Sequence, residues 1–178
     1  MPTETEVKLK IGSIEQIKNK LLEIRAELFK KKALQIDEYF DKKGGLKKSD
    51  QVLRLRDNTI LTYKGPKKKK QNMKIREEIE VMVDNGRYLK EILEKLGYTK
   101  TGIKEKYREA YIFQLTQICI DETPIGNFIE IEGSKQGVFD VAKKLGFNEK
   151  EFITKSYTAL WKEYATKNKK KGDMVFEK

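Results

Sequence analysis

The 178-residue chain has no histidine, one cysteine, one tryptophan and three prolines, and none of its apolar runs reaches membrane-spanning length. Each absence excludes something. Without histidine there is no Ser-His-Asp or Cys-His catalysis, no histidine-ligated zinc, and no imidazole to act as general acid or base. A bound metal would rest on oxygen ligands, which favours magnesium, manganese or calcium. The lone cysteine, Cys119, excludes an internal disulfide and fits a reducing cytoplasm. The N-terminus also lacks the basic-then-apolar pattern of a secretory signal, so a cytoplasmic protein away from membranes is expected.

Charge is what the chain has in abundance. Charged residues make up 38% of it, equal to the apolar share, and the formal net charge is +11. The length suits a single domain with a real core. A positive excess of this size points to an anionic partner. Part of it lies in runs, Lys67 to Lys70 and the segment around Lys167 to Lys171, which read as solvated loop and tail. The expected organisation is one folded domain over residues 1–166, followed by a basic, disordered tail over 167–178.

Thr3 to Ile11 alternates strictly. Glu4, Glu6, Lys8 and Lys10 share one face and Thr5, Val7, Leu9 and Ile11 the other, which predicts a strand. Ser13 caps a helix, with Gln16 as its capping-box partner and Ile14, Ile17, Leu21, Ile24 and Leu28 as its apolar stripe. Further strands are predicted at about Leu34 to Lys42, Gln51 to Asp57, Leu61 to Lys64, Asn72 to Val83, Ile103 to Phe113, Gln117 to Thr123 and Asn127 to Gly133. Asp84 or Asn85 caps a second helix that stops at Gly97. A third covers Gln136 to Leu145, and a short last one carries Tyr157, Leu160 and Trp161. The similar stops Lys95-Leu96-Gly97-Tyr98 and Lys144-Leu145-Gly146-Phe147 need no internal duplication to explain them.

At least six of the eight strands carry charges at alternating positions while their other faces are aliphatic. Such rows could meet water as an ion-paired sheet. Closed into a barrel, they would instead bring both signs around one cavity and turn the apolar faces outward, under the amphipathic helices. Buried charges of that density are costly unless they neutralise one another or a ligand, and a polyanion with metal ions would serve. The signs sort accordingly. Glu4, Glu6, Glu78, Glu80, Asp121, Glu130 and Glu132 could supply hard oxygen ligands for cations. Lys8, Arg54, Arg56, Lys64, Arg76, Lys106 and Arg108 could grip phosphate oxygens. Cys119, beside Asp121 by parity, reads as filler facing the same cavity.

The Glu4-Thr5-Glu6-Val7-Lys8 segment resembles the signature of the CYTH superfamily, also called triphosphate tunnel metalloenzymes. The ordered segments downstream make the resemblance specific: Asp37-Glu38-Tyr39-Phe40-Asp41, Leu53-Arg54-Leu55-Arg56, Leu61-Thr62-Tyr63-Lys64-Gly65-Pro66, Arg76-Glu77-Glu78-Ile79-Glu80, Lys106-Tyr107-Arg108, Asp121, and Phe128-Ile129-Glu130-Ile131-Glu132. Ser156-Tyr157 is similar to the family's C-terminal marker. The class IV adenylyl cyclase branch is the most similar. The resemblance implies an α+β fold: an eight-stranded antiparallel β-barrel forming a triphosphate tunnel, flanked by amphipathic helices. It implies magnesium or manganese held by Glu4, Glu6, Glu130 and Glu132 with Asp121 nearby. Lys8, Arg54, Arg56, Lys64, Lys106 and Arg108 would hold the triphosphate. Glu4, Glu6 and Lys8 stand as the catalytic set, while Arg76, Glu78 and Glu80 match without a division between metal and substrate roles. Lys10 and Lys104 point the same way by parity, as tunnel or rim charges.

The activity implied is conversion of ATP to cyclic AMP and pyrophosphate. The alternatives are hydrolysis of thiamine triphosphate, tripolyphosphate or a nucleotide, and a non-catalytic binder of nucleotide or polyphosphate. A homodimer is a further expectation, which no residue pattern in the sequence carries. RNA binding is disfavoured, because Glu4, Glu6, Glu130 and Glu132 would repel a phosphate backbone. By parity, most of Tyr39, Tyr63, Tyr107 and Tyr111 also belong to covered apolar faces.

Overall fold

The computed structural model describes residues 3–68 and 73–177, with the side chains of Thr3 and Glu4 outside that description. Lys69, Lys70 and Asn72 of the expected loop and strand start also fall outside it. The chain forms β1 (Thr3–Ile11), α1 (Ile14–Glu23), β2 (Glu27–Asp41), α2 (Gly45–Lys48), β3 (Val52–Arg56), β4 (Ile60–Lys64) and β5 (Lys74–Met82). It continues through α3 (Gly86–Lys95), β6 (Thr99–Phe113), β7 (Thr116–Thr123), β8 (Gly126–Glu132), α4 (Lys135–Lys144), a 3-10 turn (Glu149–Glu151) and α5 (Tyr157–Lys167).

The eight strands close into an antiparallel barrel in the order β1-β5-β4-β3-β2-β6-β7-β8, and β8 returns to β1. Alternation explains the layering. In β1, Val7 and Leu9 point outward into a core, and Glu6 and Lys8 point inward. Helices α1 and α4 cover β1, β7 and β8 through Ile17, Leu21, Val138, Val141 and Leu145. Helix α3 packs Leu93 and Leu89 on Phe40 and Leu55 of β2 and β3. Its first residue has to be glycine, because a Cβ on Gly86 would lie 2.2 Å from the Asn58 carbonyl oxygen in the β3–β4 turn. Buried apolar area on these helices drives the association at roughly 25 cal/mol per Å².

Four expectations are corrected. Helix α1 is capped by Ser13 but ends at Glu23, and Arg25 turns the chain with φ 60°, so Leu28 lies on β2 and is exposed. Strands β2 and β6 both begin earlier than their apolar alternation does. Glu27–Ala33 pairs with Arg108–Ile112 through register shifts, and Thr99 and Lys100 pair with Asp41 and Phe40. The tail is ordered: Met174 is buried, its carbonyl accepts from the Glu105 N–H (2.8 Å), and the Phe176 ring sits 5.2 Å from that of Tyr107. Trp161 helps by donating its indole N–H to the Gly172 carbonyl at 2.9 Å. Apolar residues among the lysines, which a charge count overlooks, dock this segment on β6. Finally, Tyr39 lines the barrel interior, because it shares the inward face of β2 with Asp37.

Candidate functional site

The inward faces enclose a cavity of about 1590 Å³. Its described lining holds sixteen lysines and arginines against nine aspartates and glutamates, so its surplus is positive. Two ion-pair clusters organise the wall. They arise where register sets an acid of one strand beside a base of the next.

The first cluster spans β1, β8, β7 and β6. Lys8 lies opposite Glu130 in the ladder and pairs with it at 2.5 Å, while the Glu6 carboxylate lies 3.9 Å from the same ammonium. Lys74 of β5 meets Glu6 at 2.5 Å. Arg108 grips Asp121 with two hydrogen bonds and also donates to Glu130. Lys106 reaches Asp121 at 3.0 Å and Glu130 at 3.8 Å. The Tyr157 hydroxyl of α5 donates to Asp121 at 2.7 Å, and its ring lies under the Lys8 ammonium, 4.3 Å from the centroid.

The second cluster centres on Asp37, which is fully buried. Arg56 Nε lies 2.7 Å from it, Lys104 3.1 Å and Arg54 3.6 Å. Lys104 also donates to the Tyr39 hydroxyl at 2.5 Å. Arg54 donates to Thr62 and Glu80, and Lys64 pairs with Glu78 at 2.7 Å.

Burial and neighbouring charge set the protonation states. Burial alone would raise the Glu130 carboxyl, but Lys8, Arg108 and Lys106 outweigh it and hold the group well below the usual carboxylate range. Asp37 is depressed in the same way by Lys104, Arg54 and Arg56. The lysines shift the other way. Burial, with Arg108 as an unfavourable neighbour, lowers Lys106 to about 7, and burial lowers Lys104 to about 8. Burial also raises the Cys119 thiol, which keeps it protonated and inert.

The expected phosphate-gripping residues Lys8, Arg54, Arg56, Lys64, Arg76, Lys106 and Arg108 all line the cavity. Arg76 differs from the rest: its guanidinium donates to the backbone carbonyls of Gly65 and Asp50, each at 2.6 Å, and so braces two loops. Glu6, Glu78, Glu80, Glu130 and Glu132 line the cavity as well. Asp121 lies behind the wall, its oxygens taken up by Lys106, Arg108 and Tyr157. The backbone of Glu4 pairs with Arg76, and its side chain lies outside the described residues. Lys104 belongs to the wall, and Lys10 is exposed outside it.

Asp37, Tyr39, Thr62, Lys74 and Tyr157 complete the clusters without having stood among the candidate site residues. Strand parity was the available signal for the first four. Tyr157 required knowing that α5 returns to the tunnel.

Among the described residues, no three carboxylate or cysteine side chains converge on one point. Glu6 and Glu132, however, are directly opposed across β1 and β8, and both face the cavity. Like charges placed this way repel, and the Lys74 ammonium at Glu6 already offsets part of that repulsion. Carboxylate oxygens without imidazole suit a hard divalent ion, and the β1–β8 wall offers such oxygens. No helix among the described residues is long and apolar enough to cross a membrane.

Known proteins share this architecture. The family model described as CYTH domain matches residues 2–157. A Methanocaldococcus jannaschii protein, provisionally named an adenylate cyclase, is 34% identical over 175 residues, covering 88% of this chain and 97% of the relative. A solved structure of a Pyrococcus horikoshii protein superimposes with a TM-score of 0.70 at 30% identity, covering 90% of this chain and 99% of that one. A structure from Hippeastrum has a TM-score of 0.65 at 19% identity, covering 90% and 96%, and shares the fold. That protein is described as a provisional adenylyl cyclase with a dominant triphosphatase activity.

Proposed function

The chain belongs to the CYTH domain family, and from that premise we propose that it is a divalent-metal-dependent enzyme converting ATP to cyclic AMP and pyrophosphate. One observation carries the reading: a closed tunnel whose cations outnumber its carboxylates, with the carboxylates gathered most densely on β1 and β8. Lys8, Arg54, Arg56, Lys64, Lys106 and Arg108 hold the triphosphate, turning the donors that their carboxylate partners leave free over to phosphate oxygens. Glu6 and Glu132, with Glu4 and Glu130 beside them in sequence order, hold magnesium or manganese. The bound ion supplies positive charge against the phosphate oxygens.

Catalysis by such a wall is mainly positioning and charge stabilisation. The ribose 3′-oxygen forms a bond to the α-phosphorus, the bond to the bridging oxygen breaks, and pyrophosphate and the hydroxyl proton leave. Asp121 and Asp37 do not touch substrate. They hold Arg108, Lys106, Arg56 and Lys104 in place, so that the cations are already oriented when the anion arrives.

A second reading is hydrolysis of the terminal phosphate of a nucleotide, thiamine triphosphate or tripolyphosphate. The Hippeastrum neighbour favours it, since that barrel is described as having a dominant triphosphatase activity. Product analysis separates the two readings. The protein is incubated with ATP, thiamine triphosphate and tripolyphosphate in magnesium or manganese. Cyclic AMP with pyrophosphate is the expected outcome. ADP with orthophosphate moves the assignment to the second reading, and no turnover of any triphosphate overturns both.

A further inference from the structure

One stretch of the tunnel wall gathers neutral side chains between charged ones, with Lys30 opposite Ala110 and Glu132 opposite Gln117 at its margins. Ala33 and Gln35 of β2, Ala110 of β6, and Gln117 and Cys119 of β7 all line the cavity. The register joins them. Ala33 lies opposite Arg108, Ala110 follows two residues later on the same face, and Ala110 lies opposite Cys119. Gln117 Nε2 donates to Cys119 Sγ at 3.4 Å. These side chains are small or end in neutral amides, so they add nothing to the grip on phosphate. Yet they border Lys106, Arg108 and Glu130, where the reacting phosphates would lie.

Within this stretch Gln35 Oε1 is buried and accepts no hydrogen bond from any described group. Its neighbour across the ladder is Lys106, whose ammonium lies 3.0 Å from Asp121 and 3.8 Å from Glu130. A buried acceptor without a donor is costly and calls for an explanation. Phosphate oxygens at neutral pH are acceptors too, so the triphosphate itself cannot satisfy it. An organic group bearing N–H can.

We propose that this neutral stretch is the base subsite of the tunnel and that Gln35 is its specificity-determining residue, reading adenine through its amide. The proposal rests on the ATP reading above and adds which residue recognises the base. A glutamine amide matches adenine in two places: Oε1 accepts from the exocyclic amine while Nε2 donates to the adjoining ring nitrogen. The terminal amide torsion is broad, and Oε1 has no existing bond to break when it turns toward a ligand. At the same edge hypoxanthine and guanine present two acceptors, O6 and N7, so the amide in either orientation keeps only one of its two bonds. The wall near α5 is less suited, because the Trp161 N–H already donates to Gly172 and Met174 is packed away.

The test measures kcat/KM for ATP, inosine triphosphate and tripolyphosphate in magnesium, for wild type and Gln35→Leu. Gln35→Met serves as the second variant where leucine disturbs folding. Wild type should prefer ATP to inosine triphosphate, and the variant should narrow that preference about tenfold, the scale of one lost hydrogen bond. The loss should fall on ATP more than on tripolyphosphate. A wild-type enzyme that processes triphosphates but whose ATP-to-inosine-triphosphate ratio is unchanged by either variant overturns the subsite alone. A wild type that processes none of the three overturns the underlying reading as well.

Discussion

Lys104 and Asp37 face each other across β2 and β6, their charged groups 3.1 Å apart and both side chains buried. The pair has a consequence for pH. Burial leaves Lys104 titrating at about 8 in the free protein. A bound triphosphate adds negative charge and raises that value, so binding takes up a proton above pH 8. Lys106, lowered to about 7, acts in the same way, so triphosphate affinity should weaken as pH rises past about 7 and further past 8, where Lys104 loses its proton. Lys104→Arg should flatten the part of the decline that lies above pH 8. Binding calorimetry across this range checks both, and an affinity that strengthens above pH 8 would contradict the assignment. For stability the sign is opposite: the unfolded chain keeps this lysine charged to a higher pH, so its unfavourable contribution fades as pH rises past 8.

Asp121→Asn should destabilise the fold by about 3–5 kcal/mol, the usual cost of leaving buried cations unpaired. Arg108, Lys106 and the Tyr157 hydroxyl all lose their shared anion. Saturating tripolyphosphate should recover part of the lost melting temperature, because a bound anion stabilises the folded state by mass action. Thermal denaturation with and without the anion decides it.

Glu6→Gln and Glu132→Gln should each abolish magnesium-dependent turnover while the fold survives, since Lys8 keeps Glu130 as its partner. Adding EDTA to the wild type should have the same effect. Full turnover by both variants would remove the β1–β8 wall from the metal assignment.

Met174→Ala should cost about 2–5 kcal/mol, the range for truncating a buried methionine. Its effect should concentrate on the C-terminal segment and β6. Faster amide exchange at Glu105, whose N–H donates to the Met174 carbonyl, is the local signature to look for.

The period of two made the barrel legible. Glu6, Lys8, Arg54, Arg56, Lys106 and Arg108 could all be placed on inward faces from alternation, and all line the cavity. What alternation cannot convey is register. That Asp121 would be enclosed by Lys106, Arg108 and Tyr157, or that Arg76 would brace carbonyls of Asp50 and Gly65, depends on which strands become neighbours. The early part of β2 was hidden for a different reason. Leu28-Phe29-Lys30-Lys31-Lys32 follows no period, because a twisted strand with register shifts presents its residues irregularly. The ordering of the tail was hidden because three apolar residues, Met174, Val175 and Phe176, sit among charged ones.

Closure of the ladder, with β8 hydrogen-bonded back onto β1, gives every strand of this sheet a neighbour on both sides over at least part of its length. An unclosed sheet with outward residues such as Ile79 and Val81, both exposed here, would invite another chain to add a strand and begin a fibre. Here every strand already has two neighbours. Greasy outer rows can thus stay bare with little free backbone edge beside them to template polymerisation, and the helices seal the parts where a core is buried.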